Sequence, residues 1–231
     1  MFYQGVKKAL PVAIGYLPIA ITFGVVASSA GIPARMIVLM SLMVFAGASQ
    51  FVAVNLISSG AGILGIIITI FFVNLRHILM SATTSEKLKK QSKGWLALIS
   101  FGITDESFSI IATDPREDLP RAYVFGIITI PYIAWVSGTA AGVLIGESLP
   151  ALLESSMEIA LYAMFVGLLI PEIKRSNSKL KVVTLAVFIS SALSWSPFFN
   201  LSEGWIITIT TLVSAIFAAR FIKVEGDRVG K

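Results

Sequence analysis

The chain has 231 residues, 56% hydrophobic and only 13% charged, with a mean hydropathy of +0.86 and a formal net charge of +5. Soluble domains carry about 25% charged residues, and a water-soluble fold of this size cannot hide so much apolar side chain, so the composition excludes a soluble globular protein and makes lipid the solvent. The Lys and Arg residues lie in short loops between apolar runs, which is how membrane topology is encoded and not how a basic groove looks, so no nucleic-acid partner is expected. Lipid offers no hydrogen bonds, which leaves helices or a closed barrel. The apolar runs are long and continuous, as in helices, and not short and alternating, as in barrel strands. The lack of cysteine excludes disulfides and thiolate metal sites. The lone His77 cannot build a metal site by itself, and no cofactor is expected.

In chain order, eight apolar segments cover 9–30, 36–58, 62–84, 95–113, 121–145, 151–170, 180–196 and 204–222. The expected fold is an all-α polytopic integral membrane protein with about seven transmembrane helices, six to eight bracketing the count, in one transmembrane domain over 1–231. Segment 1 is too long for the apolar core of a signal peptide and is expected to stay in the mature protein. It carries Gly15, Pro18 and Gly24 in GYLPIAITFG, and a proline inside a helix removes a hydrogen bond and clashes with the preceding turn. Segment 4 carries Thr104, Asp105 and Glu106 at its midpoint. Both segments are expected to be broken or re-entrant, which is tolerated where the backbone is buried in protein or lines a cavity.

The loop charges test the topology. Loops 87–93 and 174–181 and the tail 220–231 are basic, whereas the loop 146–158 holds Glu147, Glu154 and Glu158 without Lys or Arg. If all eight segments cross from an inside N-terminus, Lys87, Lys89, Lys90 and Lys93 fall outside. If segment 4 turns back, seven spans remain with the N-terminus outside, and only Lys7 and Lys8 are misplaced. If segment 1 also turns back, six spans satisfy every loop. The seven-span reading is preferred because of an internal repeat: ALPVAIGYLPIAITFGVVASSAGIP (9–33) resembles AYVFGIITIPYIAWVSGTAAGVLIGESLP (122–150), each with a mid-segment proline, Pro18 and Pro131, both taken as broken-helix positions. Downstream, the FAG of 45–47 parallels the FVG of 165–167. With seven spans, the halves 9–84 and 121–196 enter from opposite sides, the inverted repeat of many secondary transporters.

The chemistry-bearing residues lie inside the apolar segments. A carboxylate at a helix centre costs roughly 2.5–3.5 kcal/mol on insertion scales, so Asp105 and Glu106 are candidates for proton coupling, with an ion pair to Arg76 as the structural alternative. In NLRHILMSA, Asn74, His77 and Ser81 share one helical face. Arg76 is suited to clamping a substrate carboxylate, to pairing with Asp105 or Glu106, or to snorkelling towards the inner surface. Gln50 in FAGASQF is suited to a ligand's amine or carboxylate or to a neighbouring helix, while Gly47 and Ser49 permit close backbone approach. Gly138, Gly142 and Gly146 form a stripe for tight helix contact, within the chain more readily than between copies. Trp95, Trp195 and Trp205 read as interface anchors, and Trp135 lies deeper.

GYLPIAITFG, FAGASQF, NLRHILMSA and GITDESF occur in this order, and together they resemble the AzlC-type family of branched-chain amino acid exporters (azaleucine-resistance permeases). By length and segment spacing the resemblance covers nearly the whole chain. It implies export of leucine, isoleucine, valine or an analogue from the bacterial cytoplasm, driven by an ion or proton gradient, and a small AzlD-type membrane partner with about four hydrophobic segments. The family's positions correspond here to Pro18, Gly24, Gly47, Gln50, Asn74, Arg76, Thr104, Asp105 and Glu106. The expected protein is therefore a multi-pass inner-membrane secondary transporter, with Gln50, Asn74, Arg76 and Gly47 as substrate-binding candidates and a homo-oligomer left open. The alternative is a channel-like facilitator or a non-transporting assembly subunit. An intramembrane enzyme ranks last, because no nucleophile–base or metal pair stands out.

Overall fold

A computed structural model describes residues 1–88, 91–146, 166, 169–170, 173–174, 176–195, 201 and 203–221. The described residues are helical, with no strand among them: α1 (Phe2–Ser29), α2 (Ala34–Met43), α3 (Gly47–Ser58), α4 (Ile63–Glu86), α5 (Lys93–Phe101), α6 (Asp105–Ala112), α7 (Arg121–Gly146), α8 (Asn177–Trp195) and α9 (Glu203–Phe221). Of these, α1, α4, α7 and α8 are long and apolar enough to cross a membrane. Segment 6, the Glu147–Glu158 stretch, the FVG of 165–167, Lys89, Lys90 and the tail beyond Phe221 lie essentially outside the described residues. The chain divides into two compact units, 1–55 with 74–161 and 56–73 with 162–231. In the second, α8 packs on α9, and the hydroxyls of Thr69 and Thr208 lie 3.4 Å apart.

The first unit is built around α1 and α7. Glycines let their backbones touch: a Cβ on Gly5 would stand 2.0 Å from the Tyr123 carbonyl, one on Gly24 2.4 Å from that of Thr139, and one on Gly142 2.1 Å from that of Ile21. The Gly138–Gly142–Gly146 stripe is therefore an intramolecular seam with α1. Contacts rise in step along both helices, so α1 and α7 run parallel. The described parts of the two similar stretches, 9–33 and 122–146, thus lie side by side in the same direction, and the opposed directions expected of them are corrected. Segment 1 is corrected too. Pro11 and Pro18 sit inside a continuous α1, as Pro131 does inside α7. One missing ladder bond does not outweigh packing along the whole length of a neighbouring helix, so Gly15, Pro18, Gly24 and Pro131 mark no break.

The breaks fall in segments 2 and 4. Along segment 2, the hydroxyls of Ser41 and Thr139 are 2.8 Å apart, Tyr132 donates to the Leu42 carbonyl at 2.8 Å, and the Phe45 and Tyr132 rings are 5.3 Å apart. These partners step backwards along α7, so α2 descends from the C-terminal ends of α1 and α7 to mid-height. There the chain leaves helical geometry at 44–46. Then α3 climbs back: Gly47 abuts the Trp135 ring, Gln50 returns to Ser41 at 3.0 Å, and Phe51 packs on Phe23, 5.3 Å between centroids. Segment 4 does the converse. Arg121 donates to Gln91, Trp95 meets Phe125 (5.6 Å), Gly102 abuts Ile128 and Phe101 meets Tyr132 (5.7 Å). These partners ascend α7, so α5 rises from its N-terminal end to mid-height. α6 returns from Thr104 beside Tyr16 to Asp114 beside Tyr123 and Lys8. At about 1.5 Å per residue, each of these four helices is long enough for only about half of a ~30 Å hydrocarbon core. Two re-entrant hairpins therefore enter from opposite ends and meet at mid-height.

Segment 4 turns back as one of the expectations held, but segment 2 does so as well and segment 1 does not. Through α7 the chain crosses three times, where the seven-span reading has four. Lys7, Lys8, Lys87, Lys93, Arg116 and Arg121 now share one end of the first unit, the end where α1, α5 and α7 begin and α4 finishes, with Arg35 at the other. By the positive-inside rule the shared end faces the cytoplasm. In this Cys-free chain, Tyr3→Cys and Ser92→Cys are expected to react with a membrane-impermeant maleimide from one side and Ala34→Cys from the other. Labelling of positions 3 and 92 from opposite sides would restore the seven-span topology.

Candidate functional site at the hairpin tips

The two tips converge on Tyr16 and Tyr132, at the middle of α1 and α7. At the second tip, Thr104 caps α6: its side chain accepts from the Ser107 N–H at 3.3 Å, and its own N–H donates to Ser107 Oγ at 2.8 Å. Asp105 and Glu106 are then the first two residues of a half-helix, where the helix dipole favours negative charge, and not the centre of a continuous helix as expected. They diverge. Asp105 Oδ2 pairs with Arg76 Nη1 of α4 at 2.8 Å, the side chains 51% and 45% exposed respectively. Glu106 turns to α1, accepting a hydrogen bond from the Tyr16 hydroxyl, which also lies 2.9 Å from Thr104 Oγ1. Of the alternatives for Arg76, the ion pair with Asp105 is the one adopted.

The first tip is held by a buried polar network. Gln50, 1% exposed, donates from Nε2 to Ser41 Oγ at 3.0 Å and accepts from Trp135 Nε1 at 2.7 Å. Thr139 completes the chain beside Ser41. Gly47 begins α3 where a Cβ would stand 2.5 Å from the Trp135 ring. Ser49 donates to Asn74 Oδ1 of α4 at 2.5 Å. The candidates thus fall into two groups linked by α4, with Gln50, Gly47 and Asn74 at one tip and Asp105, Glu106 and Arg76 at the other. His77 stands next to Arg76, half-buried. Gly15 and Pro18 are exposed on α1, and nothing lies within 4 Å of a Cβ on Gly15.

A second node escaped sequence reasoning. Asp114, at the foot of α6, is buried. It accepts from Arg116 Nε and Nη2, both at 2.8 Å, and from the Tyr123 hydroxyl at 2.9 Å, with Lys8 Nζ 3.6 Å away. The guanidinium lies over the Tyr123 ring, 4.1 Å from its centroid, and Lys87 donates to the Asp114 carbonyl. The node ties α1, α4, the second hairpin and α7 together at their basic end. The Arg116 hydrogen bonds hold the Asp114 carboxyl well below the usual carboxylate range, against a smaller opposing effect of burial. A folded-state pKa below the unfolded value, about 3.9, gives stability that is present at neutral pH and lost as pH falls through that range and below. Asp114→Asn is expected to cost about 3 kcal/mol at neutral pH and to flatten the acid limb of a thermal-unfolding pH series in detergent. An unchanged midpoint at neutral pH would mean the node bears no load.

Residues 11–149 match the family described as AzlC protein. An uncharacterized membrane protein of Archaeoglobus fulgidus is 36% identical over 75% of this chain and 77% of its own length. The inner membrane protein YgaZ of Escherichia coli is 30% identical over 77% and 75%. The branched-chain amino acid transport protein AzlC of Bacillus subtilis is 28% identical over 79% and 72%. No solved structure matches the chain.

Proposed function

The chain belongs to the AzlC family, and from that premise we propose that it is a proton-coupled secondary transporter, exporting branched-chain or similar hydrophobic amino acids across the bacterial cell membrane together with a small AzlD-type subunit. Membership of the family and the membrane-protein relatives place the chain in a multi-pass inner-membrane, transport-associated group. The observation that carries the finer reading is the meeting of two opposed half-helices at mid-height, with Asp105, Glu106 and Arg76 beside the tips. Half-helix N-termini at the bilayer midplane are what secondary transporters use to hold anionic substrate groups. In this reading the N-terminus of α3, at Gly47, receives the amino acid's carboxylate with Asn74 alongside. Gln50 keeps the first hairpin docked. Phe45, Phe101 and Tyr132 offer the apolar wall that a branched side chain needs. The acid pair supplies the proton-exchanging group. The substrate named for the Bacillus subtilis relative supports the choice of leucine as the probe.

The test is counterflow in proteoliposomes holding the chain and its small subunit. Saturable accumulation of labelled leucine against internal unlabelled leucine is expected. A linear, non-saturating leak would make the chain a channel-like facilitator, and no movement at all would leave it an assembly subunit.

A further inference from the structure

Tyr16 reaches both hairpin tips from the middle of α1. Its hydroxyl donates to Glu106 on the second hairpin. Its ring meets Phe45 of the first hairpin edge-on, with centroids 6.1 Å apart, and Trp135 at 5.5 Å. Trp135 in turn donates to Gln50 on the first hairpin. The two acids differ in their partners. Asp105 is paired with the Arg76 cation, and His77 follows Arg76 on α4, half-buried. Glu106 is bonded to a neutral hydroxyl. Among the described residues bonded to the pair, Arg76 from α4 cancels Asp105, while Tyr16 from α1 carries no charge when protonated. One negative charge remains, on Glu106, at a depth where a charged side chain is costly. Binding a proton removes it.

We propose that Glu106, and not Asp105, takes up and releases the coupling proton, and that Tyr16 is a positioning residue that links the charge on Glu106 to the tip of the first hairpin. This deepens the transport reading above and rests on it. The ionised carboxylate accepts a charge-assisted hydrogen bond from Tyr16, roughly twice as strong as a neutral one, and the ring is thereby held between Phe45 and Trp135 with the tips together. A proton arriving from water on one side forms an O–H bond on Glu106. The Tyr16 bond then weakens to a neutral one and the tips loosen. Loss of that proton to water on the other side restores the starting state. Asp105 keeps its pairing with Arg76 throughout.

Two measurements test this. In the proteoliposomes, the ratio of gradient-driven leucine flux to counterflow is expected to fall at least about tenfold in Glu106→Gln and in Tyr16→Phe, with a flattened pH profile, whereas Asp105→Asn lowers both rates together. Selective loss of gradient drive in Asp105→Asn, with a wild-type ratio in Glu106→Gln, overturns the assignment. The second measurement needs no substrate. Ala46→Cys, at the first tip of a chain without other cysteines, is labelled in membranes with N-ethylmaleimide at one neutral pH. Adding Glu106→Gln or Tyr16→Phe is expected to speed labelling at least threefold, and adding Asp105→Asn is not. Equal rates in all four proteins reject the link. Faster labelling without leucine counterflow in the wild type would sink the transport reading while the Tyr16 link stands.

Discussion

Gly142→Val is expected to leave little or no monodisperse protein after extraction, whereas Gly15→Ala on the facing partner helix is expected to be neutral or slightly stabilising. The two glycines sit in opposite surroundings. A Cβ on Gly142 would lie 2.1 Å from the Ile21 carbonyl oxygen and 3.0 Å from the Gly24 Cα, both backbone, while nothing lies within 4 Å of one on Gly15. Overpacking a core with flexible neighbours costs about 1–3 kcal/mol. Here the obstacle is the backbone of α1, which can yield only by moving the whole helix away. In lipid that matters more than in water, because helix association rests on close van der Waals packing and not on a hydrophobic drive. Gly15 is an exposed position in a continuous helix, where alanine is worth up to about 1 kcal/mol over glycine. Size-exclusion yield and thermal midpoint in detergent check both. A Gly142→Val protein that purifies like the wild type would show that α1 and α7 do not pack through this seam, and a damaging Gly15→Ala would revive a break in segment 1.

The long helices were legible because an apolar run longer than the hydrocarbon thickness has few other uses. The same signal cannot tell one full span from two half-length helices folded back. At 95–113 the polar Thr104–Asp105–Glu106 step marked the turn. At 36–58 the turn lies in Val44–Phe45–Ala46, apolar throughout, and the nearby Gly47 and Ser49 read as packing residues. Missing that second turn also misplaced the N-terminus, since every uncounted hairpin reverses the side on which the next loop falls. Prolines pointed the other way: Pro18 and Pro131 looked like breaks, yet the α1–α7 seam keeps both helices continuous. At the site, the Arg76–Asp105 pair was among the pairings that residue types allowed. Tyr16 with Glu106 and Asp114 with Tyr123 and Lys8 were not legible, because a hydroxyl in an apolar run carries no sign of a partner 90 residues away. Only the parallel contact of α1 and α7 and the return of α6 bring these groups together.

That pairing makes removal of Arg76 the more damaging half of the ion pair. Arg76→Gln leaves Asp105 and Glu106 as adjacent carboxylates without the paired guanidinium, whereas Asp105→Asn leaves a half-exposed Arg76 that water can solvate, with Glu106 still held by Tyr16. A fully buried pair that loses one partner costs about 3–5 kcal/mol and a solvent-screened surface pair about 0–1 kcal/mol. With the two side chains 45% and 51% exposed, a value near 2 kcal/mol is expected for Arg76→Gln, roughly thirtyfold in leucine counterflow. Asp105→Asn is expected to lose less. Combining the two substitutions leaves a single acid, Glu106, where Arg76→Gln alone leaves two. The double variant should therefore recover part of the loss, so that the cycle shows an interaction well above the ~0.3–0.5 kcal/mol scatter of independent sites. Additive losses in the four proteins would mean that the 2.8 Å contact is not made during transport. Arg76 would then be free for the other role its chemistry permits, a clamp on the substrate's carboxylate, and its loss would raise the half-saturating leucine concentration and leave the limiting rate intact.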